Sequence, residues 1–120
     1  MPTEAARVLR RLAAGDERLL ETVMLPTPEF GLPRGPVDNS LDRRTRLLVR
    51  LAALLAAGAP TAAVQWAVEL AAAGGAGVET MTGVLLASAP AVGTAGVVES
   101  APRLALALGF DLELDGWDGS

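Results

Sequence analysis

The sequence lacks the side chains that proteins most often use for catalysis and metal binding. It has no cysteine and no histidine, and all ten of its basic residues are arginine. Without cysteine the chain has no disulfide, thiolate metal site or thiol redox reaction. Without histidine it lacks the commonest general base and the commonest metal ligand. We therefore expect neither a metal site nor a bound cofactor.

Aromatic residues are also scarce, with no tyrosine, two tryptophans and two phenylalanines among 120 residues. The hydrophobic fraction of 51% is mostly alanine, leucine and valine. Alanine favours helix over strand and allows helix axes to approach closely. No alternation of polar and apolar residues is long enough to indicate a strand. The composition therefore predicts an all-α fold.

Net charge and hydropathy bear on nucleic-acid binding, membrane insertion and localisation. A net charge of −4 gives no indication of nucleic-acid binding,. Residues 51–68 and 80–98 are uncharged and approach the length of about 20 residues that spans a membrane. Both stretches are rich in alanine and interrupted by glycine and proline, so we interpret them as buried helices of a soluble bundle, with a transmembrane protein as the alternative. Residues 1–15 have no apolar segment of the kind found in secretory signals, and we expect a cytoplasmic protein.

Capping residues and helix breakers divide the chain into six helical segments. The predicted segments run from Thr3 to Gly15, from Asp16 to Pro26, over 41–57, over 60–73, over 78–88 and from Thr94 to Leu108. We expect Pro102 to kink or split the last of these. We divide the chain into three regions: N-terminal helices with a proline-rich loop (1–39), a helical core (40–110) and an acidic tail (111–120).

Two of these helices carry patterned side chains. For the helix at 41–57, helical periodicity predicts a buried row opposite a solvated arginine face. The buried row is Leu41, Leu48, Leu51, Ala52 and Leu55, and the arginine face is Arg43, Arg46 and Arg50. The helix at 60–73 is apolar nearly all round, which is typical of a helix buried on every side.

The helix at 60–73 also supplies the candidate site. Its only polar row is Thr61, Gln65 and Glu69, next to Trp66. A carboxylate enclosed by apolar side chains holds its proton more readily and can act as a general acid or base. The alternative is that the row faces solvent, or that Glu69 pairs with an arginine such as Arg50 or Arg103. We take all four residues as the candidate ligand-binding set and Glu69 as the candidate catalytic residue.

The stretch from about Leu41 to Leu108 resembles the carboxymuconolactone decarboxylase and alkyl hydroperoxidase D-like superfamily. The resemblance lies in an arginine-rich opening at 41–46, a Gly58 turn, a helix ending at Gly74 and Gly75, a later segment 84–86, and a break at Gly93. It implies a six-helix bundle assembled as a trimer or hexamer, with the chain itself as its partner.

The superfamily's peroxidases carry a Cys-x-x-Cys, a histidine one turn later and a glutamate on the preceding helix. The matching positions here are Ala59, Ala62 and Trp66, or Pro60, Ala63 and Ala67, with Leu47 or Leu48 at the glutamate position. The resemblance therefore implies fold and assembly without peroxidase chemistry. It leaves two functions open. One is a protein that binds or transforms a small apolar molecule at the helix 60–73, and the other is a non-catalytic oligomeric scaffold or interaction protein.

Overall fold

The computed structural model describes residues 3–21 and 41–111, and within these ranges the chain forms helices and no strand. The all-α prediction is thus confirmed for that part of the chain. The helices are α1 (Glu4–Ala13), a 3-10 helix (Glu17–Leu20), α2 (Arg43–Ala56), α3 (Thr61–Ala73), α4 (Val78–Val92) and α5 (Thr94–Ala107). No helix in the two described ranges is both long and apolar enough to cross a membrane.

The chain separates into two compact units, Met1–Asp42 and Arg43–Ser120. In the first unit both predicted helix starts are confirmed. The Thr3 hydroxyl accepts a hydrogen bond from the Ala6 N–H at 3.1 Å, and the Asp16 carboxylate accepts one from the Arg18 N–H at 3.1 Å. Such side-chain acceptors satisfy N–H groups that have no partner in the first turn of a helix. The predicted loop at 26–39 and the tail at 112–120 lie outside the described residues.

Four of the described α-helices end in the same way, at a glycine with positive φ. These glycines are Gly15, Gly58, Gly75 and Gly109, with φ between +69° and +94°. In each case the N–H of the next residue donates to the carbonyl five residues before it, at 3.0 Å, as between Ala59 and Leu54. This arrangement satisfies a carbonyl that the helix end leaves free, and it needs a residue that tolerates the left-handed region.

The core of the second unit is built around α2. Leu47, Leu51 and Leu55 lie one turn apart and are at most 3% exposed. They pack with α3 and α4, whose most enclosed side chains are Val64 and Met81. Leu51 and Leu55 of the predicted row are confirmed as buried, but Leu47 is buried in place of the predicted Leu48, and Leu48 and Ala52 are half-buried. Leu41 precedes the helix and is 44% exposed.

The expectation that the helix at 60–73 is buried on every side is wrong for the single chain. Its inner side is buried, through Val64, Ala67, Val68, Leu70 and Ala71. Its other side is open within the second unit, because α3 packs mainly against α2 and α5 and no other described element of residues 43–111 covers it. Trp66 on that side is 45% exposed.

α4 and α5 form a hairpin whose two helices are separated by one residue, Gly93, with φ 86° and ψ 162°. The predicted cap at Thr94 is wrong, because Gly93 holds the cap position and Thr94 is already helical, with no side-chain cap bond. A side chain at Gly96 would collide with Val92, so the hairpin closes tightly.

The two prolines of this hairpin also behave differently from the prediction. Pro90 lies inside α4, which continues to Val92 instead of ending at 88, and Pro102 lies inside an unbroken α5. Each proline lacks the N–H that would bond the carbonyl four residues earlier. Those carbonyls belong to Leu86 and Val98, residues that are 62% and 66% exposed. The missing helical bonds therefore fall beside solvent-exposed residues, where the loss is most easily tolerated.

Candidate functional site

The four candidate residues lie together along the open side of α3. Thr61 is half-buried at the first turn, whereas Gln65, Trp66 and Glu69 are exposed. We call these four residues the α3 outer face. The spacing argument correctly placed them on one side of the helix. The single chain leaves Glu69 in solvent, so the desolvation that an acid–base role requires would have to come from another molecule.

Trp66 is held from one side by an arginine of the preceding helix. The Arg50 guanidinium carbon lies 4.6 Å from the centroid of the Trp66 ring. A cation at this distance is attracted by the ring, with a free energy of about 0.5–1 kcal/mol at exposed sites. Arg50 was predicted to lie on a purely solvated face. The α2–α3 hairpin instead brings it over the indole, a pairing that depends on how the two helices pack and not on either helix's own pattern.

Arg46 also departs from the predicted solvated face. It is half-buried, and its Nε is enclosed with no hydrogen-bond partner in the described part of the chain. Neighbouring Arg44 reaches α4, where its Nη2 lies 3.3 Å from the Thr80 hydroxyl oxygen. The arginines at the start of α2 therefore serve partly as links within the bundle.

Arg103 and Ser100 of α5 support the C-terminal end of α2. The Ser100 hydroxyl, in a residue 3% exposed, donates to the Leu55 carbonyl at 2.9 Å. Arg103 pairs with Glu99 one turn away at 3.5 Å, and its Nη1 lies close to Gly58. A cation next to a helix C-terminus is favourable because unpaired carbonyls concentrate negative charge there. These contacts give both side chains a structural role, and Arg103 has Glu99 rather than Glu69 as its partner.

An apolar groove of about 180 Å³ lies between α4 and α5, away from the α3 outer face. Its described lining residues are Thr82, Leu85, Ala101, Pro102, Leu104, Ala105, Leu108 and Phe110. Among them only Thr82 has a polar side chain. This groove was not predicted from the sequence, because apolar residues at helical spacing look the same whether a neighbouring helix covers them or not.

Asp16 is the most strongly perturbed acid in the described ranges, and it belongs to the N-terminal unit. Hydrogen bonds from Arg18 and Arg11 lower its pKa from 3.8 to about 2. The contacts are 3.1 Å from Arg18 Nε and 2.6 Å from Arg11 Nη2. The same carboxylate caps the 3-10 helix, so the cluster has a structural explanation.

The described residues contain no group of three or more histidines, cysteines, aspartates and glutamates able to hold a metal ion. What they offer is a half-exposed pair formed by Trp66 of α3 and Arg50 of α2, and an apolar groove between α4 and α5, both of which suit binding. No protein-family model, curated protein or solved structure matches the chain.

Proposed function

We propose that this chain is a carboxymuconolactone decarboxylase-like protein without peroxidase chemistry. In this proposal the chain functions as a binding protein, and it self-associates through the α3 outer face. The observation that carries the proposal is Trp66, a large aromatic residue that is 45% exposed and whose ring lies beneath the guanidinium of Arg50. Tryptophan and arginine are the residues most enriched at the centres of protein interfaces. The resemblance over residues 41–108 supports the same assignment, since that superfamily forms trimers and hexamers.

The surroundings of Trp66 suit close contact with another helix. Ala62, Ala72 and Ala73 are exposed on α3 and present little bulk to an approaching surface. Gln65 and Glu69 flank the indole with polar groups. An apolar centre with a polar rim is the usual composition of a specific protein interface.

The residues of this face do not supply peroxidase chemistry. The positions that correspond to the superfamily's cysteines and histidine hold Ala59, Ala62 and Trp66 in one register. A peroxidase of that type needs a thiolate nucleophile. We expect no consumption of alkyl hydroperoxide above a protein-free blank, with thiol or dithiol donors, and measurable turnover would remove this part of the proposal.

Sedimentation velocity tests the assembly. The wild-type chain should sediment as a trimer or hexamer at micromolar concentration, and Trp66→Gln should shift it toward the monomer while its far-UV circular dichroism stays unchanged. Leu106→Gln is the matched control, because Leu106 is 51% exposed on α5, away from the α3 outer face. A wild-type monomer refutes self-association. Loss of assembly in the control but not in Trp66→Gln refutes the choice of face.

A second candidate retains Glu69 as an acid–base group toward a small apolar molecule. It is favoured by the position of Glu69 one turn from Trp66, because an assembly that covers the indole also removes water from the carboxylate. Glu69→Gln should then preserve the assembly and raise the melting temperature, since a desolvated charge has been removed. Pairing of Glu69 with an arginine of another copy gives the opposite result, a lower melting temperature and a weaker assembly. No change in either measurement leaves Glu69 in solvent and eliminates the acid–base candidate.

A further inference from the structure

We infer that the groove between α4 and α5 is a binding site for a small uncharged molecule that contains one ring and one hydroxyl group. The site lies outside the α3 outer face and is independent of the proposed self-association. Three observations define its ligand: the size of the groove, the absence of charge among its described lining residues, and the position of its one polar side chain.

The size of the groove sets the size of the ligand. Its volume is about 180 Å³. A protein cavity of about 150 Å³ lined by leucine, isoleucine and phenylalanine side chains holds one benzene molecule. The groove therefore accepts a single six-membered ring with one or two additional atoms.

The lining sets the polarity of the ligand. Leu85, Leu104 and Leu108 form the walls, and Phe110 lies at the rim, 43% exposed. No described lining residue carries a charge, so an ionised group held between the apolar walls would lose water without gaining an oppositely charged partner,. The groove accordingly favours neutral molecules over their charged analogues.

Thr82 provides the only hydroxyl among the described lining residues, and it is exposed at the edge of the groove. A hydroxyl can donate one hydrogen bond and accept two. A ligand whose ring occupies the leucine walls can therefore direct a hydroxyl group outward to Thr82. A neutral hydrogen bond of this kind contributes about 0.5–1.5 kcal/mol, which corresponds to an affinity change of about two- to tenfold.

The experiment is a titration of the 15N-labelled full-length chain with toluene, benzyl alcohol and benzoate, followed by amide chemical shifts. Toluene and benzyl alcohol should give saturable shifts concentrated at residues 82–85 and 101–108, and benzoate should not. Thr82→Val should weaken benzyl alcohol about two- to tenfold and leave toluene unchanged.

A filling variant and its control test the location. Ala105→Leu places three more carbon atoms in the groove and should weaken both neutral probes by about tenfold or more. Ala53→Leu makes the same change at an exposed position of α2 and should leave both affinities unchanged. Circular dichroism of both variants checks that the fold is retained.

Several outcomes overturn the inference. These are the absence of saturable shifts with either neutral probe, binding of benzoate as tight as that of benzyl alcohol, and equal weakening by the two leucine variants. Shifts that disappear as the protein concentration rises also overturn it, since they show that a second copy occupies the groove. Trp66→Gln should bind both neutral probes like the wild type, so failure of the assembly proposal and failure of this inference remain distinguishable.

Discussion

The buried hydroxyl of Ser100 offers a sharp test of how the second unit is held together. Ser100 is 3% exposed, and its Oγ donates to the Leu55 carbonyl at 2.9 Å, which joins α5 to the last turn of α2. Ser100→Ala removes this bond. The loss of one neutral hydrogen bond costs about 0.5–1.5 kcal/mol when the acceptor keeps another partner.

The acceptor does keep a partner, because the Gly58 N–H also donates to the Leu55 carbonyl, at 3.2 Å. The additional penalty for a buried group left unsatisfied, about 1–3 kcal/mol, therefore does not apply. Alanine is also a better helix former than serine, which offsets roughly a few tenths of a kcal/mol of this loss of stability. We expect Ser100→Ala to lower the free energy of unfolding by about 0.5–1 kcal/mol. For a unit of this size that is a fall in melting temperature of about 2–8 °C.

Ser88→Ala is the matched control. The Ser88 hydroxyl donates to the Val84 carbonyl at 2.8 Å within the same helix, so it joins no two elements. Such back-bonding slightly destabilises helices, and its removal should leave stability unchanged or slightly raised. Urea unfolding followed at 222 nm, at one fixed protein concentration, gives both values. Equal stability of the two variants, or a loss above about 2 kcal/mol in Ser100→Ala, would refute this account of the Leu55 carbonyl.

Two further predictions concern backbone and charge. Gly83→Ala, in the middle of α4 with open space at its Cβ position, should raise stability by about 0.5–1 kcal/mol,. The same change at Gly75, where φ is +94°, should lower it by about 1–2 kcal/mol, and unfolding curves that show the same sign for both would contradict this,. The Asp16 carboxyl carbon should titrate by NMR with a midpoint near pH 2 instead of 3.8, and Arg18→Ala should move the midpoint upward. Because the pKa of Asp16 is lowered in the folded chain, its stabilising effect is present above pH 3.8 and is lost as the pH falls through about 2,.

Helix ends were the part of the fold most accessible from sequence, because they are decided locally. The Thr3 and Asp16 caps and the Gly15, Gly58 and Gly109 stops depend on a side chain or a φ angle within a few residues. In α2 the burial of Leu51 and Leu55 was predicted and that of Leu47 was missed, because the edge of a buried row depends on which neighbours the helix meets. Pro90 and Pro102 were expected to end or break helices, but α4 and α5 each continue through the proline.

The candidate site could likewise be predicted only as far as local helical geometry decides it. Spacing was enough to place Thr61, Gln65 and Glu69 on one side of α3, since helical geometry alone decides it. Spacing cannot tell whether that side meets a helix or water, and the exposure of Trp66 and its contact with Arg50 follow only from the packed arrangement of α2 and α3. The groove beside Thr82 could not be predicted either, because the sequence does not show that the leucine side chains leave a space there.

The connection between α4 and α5 has a consequence for exchange between molecules. Gly93 alone separates the two helices, in a backbone region that essentially only glycine occupies,. If the dihedral angles of Gly93 were helical, Val78 to Ala107 would form one straight helix about 45 Å long. The closed hairpin and this straight helix therefore differ mainly in the two dihedral angles of that residue. Short hinges under strain favour domain swapping, in which each molecule lends an identical element to the other. A side chain at position 93 would strain the closed hairpin and so favour the exchange of α5 between two chains,.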